Sequence, residues 1–315
     1  MKKIYKTILI SIFLISELNA ENNNNEDKNS NKPKLEIGIK SLNVKFIPFE
    51  YKRDLSESTG IYFENYSQFK GNRDSIIPFF VKYKNPENNF SLEFQYINVN
   101  IPRANYIHSY QSLYGDSISK RYLDNTERTD YKLNILYHIL NEKPELLSLG
   151  LGIRKIDRLT NSNNGLSISE ESIKSHGLQI AAKSQIPLID NLNLNIGFEY
   201  YITQGKRYYS NKIAANSILA NGIRPIFQTN LSNSNTLGIF QGYEFDVSLS
   251  YQFFNSLKFY LGYYYNFSKF KYQNYNDQTL RYEDFRNTYY YFQNNRGIGG
   301  SDIISGVYLG LSYNY

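Results

Sequence analysis

The chain has 315 residues, and no cysteine or tryptophan is among them. Without cysteine there is neither a disulfide framework nor a site for lipid acylation, so an exported form must be held together by a large core or by a membrane. Histidine is scarce as well. His108, His138 and His176 are scattered, which gives no metal-ligand spacing, and no cofactor is expected. Past residue 20 there is no long hydrophobic run, and the mean hydropathy of −0.52 excludes a bundle of transmembrane helices. It leaves a membrane β-barrel open, because each barrel strand offers only half its side chains to lipid. Concentrated charge is missing too. The formal +6 falls to +4 when Lys2, Lys3, Lys6 and Glu17 are removed, so nucleic acid is not an expected partner.

What is present starts with an address. Lys2, Lys3 and Lys6 precede an apolar run from Thr7 to Ser16, and Leu18-Asn19-Ala20 closes it with a small residue. Residues 1–20 therefore read as a secretory signal peptide, too short in its apolar part to span a membrane. Residues 21–34 are Asn-rich and charged and form an expected flexible leader; residues 35–315 form the expected folded domain. Tyrosine contributes 31 residues and phenylalanine 20, a composition suited to sheets rather than helices.

Alternating apolar and polar residues recur along that domain. Leu35, Ile37 and Ile39 open the first expected strand, and its phase then slips to Leu42, Val44 and Phe46, for which a β-bulge is the expected cause. Further strands are expected around Ile77 to Tyr83, Phe90 to Tyr96, Tyr131 to Ile139, Leu147 to Ile153, His176 to Ala182, Leu192 to Ile202, Tyr243 to Phe253 and Leu257 to Phe267. The last runs from Ile303 to Tyr315, with Val307, Leu309, Leu311, Tyr313 and Tyr315 on one face. That makes ten.

The spacers alternate in length. Short ones, Asn85 to Asn89, Asn141 to Glu145, Pro187 to Asn191 and Asn255-Ser256, carry turn residues. Long ones include Asn100 to Thr129, Asp157 to Glu171, Gln204 to Phe240 and Lys271 to Ser301. Long loops at one end and tight turns at the other suit a closed antiparallel transmembrane barrel. Closure would pair the terminal strand with the first, since lipid tolerates no free sheet edge. Twelve strands are the alternative, if part of Gln204 to Phe240, or Ile61, Phe63 and Asn65, adds a hairpin. A secreted β-sandwich competes, but its strands would be shorter, about five to six residues.

The signal segment, the amphipathic strand pairs and Val307-x-Leu309-x-Leu311-x-Tyr313-x-Tyr315 together resemble Gram-negative outer-membrane β-barrel proteins over nearly the whole chain. Gly242-Tyr243-Glu244 through Tyr251-Gln252-Phe253, followed by Leu261-Gly262-Tyr263, looks most like uncharacterised barrels of spirochaetes such as Leptospira. The resemblance implies an outer-membrane location with loops at the cell surface. It also implies insertion by the barrel-assembly machinery, with Leu309, Leu311, Tyr313 and Tyr315 as the assembly signal, and contact with outer-membrane lipids and lipopolysaccharide as a monomer. Such proteins more often end in Phe or Trp, for which Tyr315 is a substitute.

Two groups of residues carry candidate function. The inward rows hold Glu36, Lys40, Lys82, Lys84, Glu93, Lys132, Arg154, Lys183, Glu199, Glu244, Asp246 and Lys258. They could line a small-solute channel, chiefly Lys82, Lys84, Glu93, Lys132, Glu199, Glu244, Asp246 and Lys258, or pair off inside a filled barrel. A barrel near eight strands is just filled by side chains, which favours the second. In the spacer from Gln204 to Phe240, Lys206, Arg207, Lys212 and Arg224 could contact a polyanion or host ligand beside Tyr208 and Tyr209. Tyrosines from Tyr272 to Tyr291 could form an adhesive surface. Ten-stranded surface proteases need an Asp-x-His pair, and no histidine here follows Asp in that spacing, so an enzyme is not expected.

Overall fold

The computed structural model describes residues 34–48, 53–54, 63–65, 71–85, 89–101, 104–112, 115–123, 125–140, 145–163, 167–219, 222–232, 237–253, 256–273, 278–283, 288–293 and 299–315. The expected signal peptide, and all but the last residue of the expected leader, lie outside them.

Ten of the strands close on themselves: β1 (Lys34–Ile47), β2 (Phe79–Asn85), β3 (Phe90–Ile101), β4 (Asn125–His138), β5 (Ser148–Asn163), β6 (Ser167–Ile189), β7 (Leu192–Leu219), β8 (Leu237–Gln252), β9 (Leu257–Gln273) and β10 (Gly299–Asn314). Each pairs antiparallel with its sequence neighbours, and β10 returns to β1 in a register running from Glu36↔Asn314 to Ile47↔Ile303. The expected closure of the terminal strand on the first is therefore what forms, and no edge is left within the ring.

At one end the connections are tight. Asn89 (φ 51°) and Asn191 (φ 63°) take the left-handed conformation, which Asn tolerates better than most residues. Pro187 lies where the β6–β7 register shifts, a position where its missing N–H interrupts no regular ladder. At the other end the strands outrun their expected lengths. β6 spans 23 residues and β7 spans 28, against about 9–11 for a bilayer crossing. The expected loop from Gln204 to Phe240 is thus corrected: it is mostly strand, and Gly222–Ser232 folds back on the far part of β7. That hairpin stands outside the ring and continues through Gln278–Glu283 to Thr288–Gln293, so it does not make a twelve-stranded barrel. A separate sheet joins Phe63–Asn65, Ala104–Ser112 and Gly115–Leu123.

The phase slip in β1 has a different cause from the one expected. The pairing with β10 runs without a shift, so no bulge is present. Glu36, Gly38, Lys40, Leu42, Val44 and Phe46 all point inward, while Leu35, Ile37, Ile39, Ser41, Asn43 and Lys45 point outward. What changes along the strand is the solvent. Near the tight turns the outside is apolar and the inside polar; further along the outside is polar, and Val44 and Phe46 are fully buried inside. β3 repeats the exchange: Leu92, Phe94 and Tyr96 face out, then Ile97, Val99 and Ile101 face in.

This exchange divides the barrel into two bands. Around the first, Leu151 (70%), Leu178 (74%), Ile180 and Leu309 stand exposed on the outer wall. Each such side chain would forgo about 1.5–3 kcal/mol in water, so the band is stable only against hydrocarbon. The second band has an interior of apolar side chains interleaved with a few buried ion pairs, and a polar outer surface.

Candidate functional site

The first band's interior holds the charges that the strand alternation turns inward. Lys40 Nζ lies 2.7 Å from Asp246 Oδ2, Lys82 Nζ 3.3 Å from Glu93 Oε1, and Lys258 Nζ 3.6 Å from Glu36 Oε2. Lys183 pairs with Glu93 and, at 3.4 Å, with Glu199. At the tight-turn end Lys84 Nζ meets Glu145 Oε1 at 2.5 Å. These residues, Lys84 excepted, border a cavity of about 170 Å³, below the roughly 300–1,000 Å³ of small-molecule pockets. It suits a few waters among ion pairs. His138 closes its lower wall, with Nδ1 2.8 Å from Ser148 Oγ.

Deeper in, the charges become fully buried. Lys132 bonds Glu199 at 3.1 Å and also Glu244. Arg154 reaches Glu244 at 3.0 Å and also Asp130, with its guanidinium 3.9 Å from the centroid of the Tyr201 ring. Arg128 donates to Asp130 at 2.9 Å and to Asp302 at 3.1 Å, and Arg158 approaches Asp302 at 3.4 Å. Tyr264, Asn266 and Tyr201 bond into the same network. Four basic groups face four acidic ones, so the layer is electrically balanced. An unpaired charge here would be costly.

Around these charges, at the same level of the ladder, the lumen also holds apolar side chains: Val99 is the partner of Arg128, Ile97 and Ile156 flank Asp130, and Ile173 is the partner of Arg158. Leu42, Val44, Phe46, Ile76, Ile97, Val99, Ile101, Ile304, Tyr264 and Tyr308 form one cluster. Ile156, Ile173, Tyr201, Phe240 and Phe270 form another. Arg128 is the ladder partner of Val99 in the first cluster and lies 5.5 Å from the Phe240 ring of the second.

The basic residues of the expected fourth loop separate. Arg207 is buried inside β7, its Nε 3.0 Å from Glu171 Oε1 and its guanidinium 4.3 Å from the Tyr272 ring. It is corrected from a surface contact to an interior ion pair, because odd-numbered residues of β7 point inward. Lys206 is exposed on the outer wall. Lys212 lies further along β7 opposite Ile168, and Arg224 on the returning strand opposite Ser217. These residues are on strands, not in a flexible loop.

Residues 31–315 match the family described as predicted outer membrane protein of the Leptospiraceae. The chain belongs to that family. The outer-membrane protease OmpT of Escherichia coli shares the architecture, with a TM-score of 0.52 and 15% identity over 90% of this chain and 96% of that one; at that identity the likeness is one of fold. The Pseudomonas putida toluene transporter TodX aligns over 90% of this chain and 89% of its own, at 8% identity and a TM-score of 0.30, too distant to inform the fold. No curated protein matches. In this outer-membrane barrel the apolar band is the lipid-facing wall, the tight turns are periplasmic, and the long strands project from the cell.

Arg128, Asp130, Arg158, Glu171 and Asp302 are absent from the residues that sequence alternation singled out. Arg128, Arg158 and Glu171 fell in expected loops, and Asp130 and Asp302 each between an expected loop and the strand that follows it. A signal for Arg128 and Asp130 existed: continuing the inward row of β4 by twos from Lys132 reaches Asp130 and then Arg128. Their neighbours Thr129 and Glu127 are polar, so no apolar row marked the strand as continuing.

Proposed function

We propose that this barrel is a non-conducting, non-catalytic scaffold that raises a β-sheet binding surface above the outer membrane for a host or polyanionic ligand. The observation that carries the reading is the combination of a filled lumen with strands that outrun the bilayer. β7 exceeds a crossing strand by about 17 residues, which at roughly 3.3 Å per residue and a tilt near 40° reaches about 40 Å from the membrane. Besides the buried Arg207 that extension carries the basic residues Lys206 and Lys212, Arg224 lies on the strand that folds back on it, and Thr288–Gln293, of sequence TYYYFQ, ends the sheet path as its last described strand. A strand in that position suits pairing with an extended peptide, and its tyrosines suit broad amphipathic contacts. A catalytic role finds no support in the histidines, since Tyr106, Leu136 and Lys174 occupy the positions two before them.

The test uses the folded protein in planar bilayers and on immobilised heparin. No unitary conductance is expected. Retention on heparin should weaken with salt and fall when Lys206, Lys212 and Arg224 are all changed to Gln. Stable conductance steps would sink the scaffold reading and favour a second one, a small-solute channel using the cavity beside Lys82, Glu93, Lys132, Glu199, Glu244, Asp246 and Lys258, with Lys84 at its mouth. That reading draws on the charged lining, and it requires the Arg128 layer to open.

A further inference from the structure

On the outer wall of the second band, Lys174 of β6 and Lys206 of β7 are directly opposite partners. Both are exposed, and among the described residues neither has an ion-pair partner. Like charges facing each other across a ladder are destabilising. Asp157 is the partner of Lys174 on its other side, yet its Oδ2 is held 2.7 Å from Lys155 Nζ. The next outward acid on β6, Glu170, lies four residues further up.

The backbone accentuates the juxtaposition. Gly205, beside Lys206, allows β7 to approach β6 so closely that an added Cβ would lie 1.8 Å from the Lys174 carbonyl oxygen. A side chain there would force the strands apart, and with them the two lysines. A pair of cations held together at a close strand contact fits a multiply charged anion between them.

Height above the lipid wall narrows the choice of anion. The outward row below Lys206 reads Gln204 and then Ile202, and the row below Lys174 reads His176 and then Leu178; Ile202 is 49% and Leu178 74% exposed. Lys206 is four residues past Ile202, about 10 Å higher after allowing for strand tilt. A lysine stem leaning back toward the apolar surface brings its ammonium into the headgroup layer. Tyr208, 53% exposed, follows next on the same face and offers a ring to a sugar. Like charges also face each other elsewhere on the outer wall, where Lys45 of β1 opposes Arg73 of the strand Asn72–Ile76, six residues past the outward Ile39. Lys269 and Lys271 stand outward on β9 past Phe267.

We infer that Lys174 and Lys206 clamp a phosphate on the headgroup of an outer-leaflet glycolipid, with Tyr208 against the adjoining sugar. The clamp fixes the barrel's depth and anchors its projecting half to the leaflet. It needs only the outer-membrane location; it takes Lys206 from the binding surface proposed above and leaves Lys212 and Arg224, further along the strands, to that surface.

The test is lipid binding by native mass spectrometry on protein refolded in detergent. Probes are phosphorylated lipid A, the same lipid after phosphatase treatment, and inorganic phosphate. Wild type should retain the phosphorylated form at concentrations about tenfold or more below the dephosphorylated one. Lys174→Gln with Lys206→Gln should erase most of that difference, while the double change to Arg preserves it. The boiled-versus-unboiled gel shift should be the same for all three proteins. Equal lipid retention by wild type and the Gln variant would overturn the inference, as would inorganic phosphate displacing the lipid at equal concentration, which would make this a free-anion site.

Discussion

The two bands of this barrel solve the same problem with opposite materials. In the membrane the outer wall is apolar, so the interior is where polar side chains must go, and they satisfy one another as ion pairs. Beyond the membrane water surrounds the wall, so Phe46, Val99, Phe240 and Phe270 can go inside as in a soluble protein, packed around the few ion pairs that remain there, Arg158 with Asp302 and Arg207 with Glu171. The backbone is continuous across the boundary, with the same ladder and register. The difference teaches that the inside-out pattern belongs to the solvent outside each band and not to the barrel topology.

The sharpest way to break the comparison is to remove a charge at the boundary itself. Arg128→Ala leaves Asp130 and Asp302 with fewer partners in a dry layer, although Arg154 and Arg158 still reach them. A loss of about 3–5 kcal/mol is expected, read as a lower urea midpoint for the folded barrel in lipid. An unchanged midpoint would mean that the layer is wet and that the lumen is not closed there. Phe46→Ala probes the apolar side, where losing a buried ring should cost about 3–5 kcal/mol. If this loss is far smaller, the second band is not packed like a soluble core.

The outer wall gives a paired test of smaller size. Leu151→Arg places a charge against hydrocarbon and should cost about 2–4 kcal/mol. Asn43→Leu, exposed on the outer wall above the boundary, should change stability by about 0.5 kcal/mol or less, as surface substitutions do. Equal costs would erase the boundary that the phase exchange in β1 and β3 defines.

Much of this architecture is legible in the sequence alone. Ile303 to Tyr315 and Leu35 to Phe46 alternate cleanly, because half of each strand faces lipid, and their pairing follows from closure alone. The upper band was harder to read. Its outer face is as polar as a loop, so Asn125 to Asp130 and Gln204 to Leu219 carry no amphipathic contrast of the expected sign. The slip at Leu42 was visible, but a bulge and a change of solvent leave the same mark on a sequence. Partner identity was beyond alternation altogether: it assigned Arg154 and Glu244 to the interior, but their contact depends on how the strands stagger round the ring.

The smallest expected effect lies at the periplasmic turn, where the comparison meets bulk water. Burial would raise the carboxyl of Glu145, but Lys84 at 2.5 Å outweighs it and holds the group down to about 2. The ordinary carboxyl value is near 4.3, so the folded state binds this proton more weakly than the unfolded one. The stabilisation is therefore present above about pH 4.3 and is lost as pH falls toward 2. The Glu145 side chain is 44% exposed, so solvent screening limits the pair to under about 1 kcal/mol. Glu145→Gln should lower the urea midpoint slightly at pH 7 and not at pH 2, the gap closing between those values. A gap that persists at pH 2 would assign the effect to packing at the turn, and the ion pairs of the first band would then stop at the membrane edge.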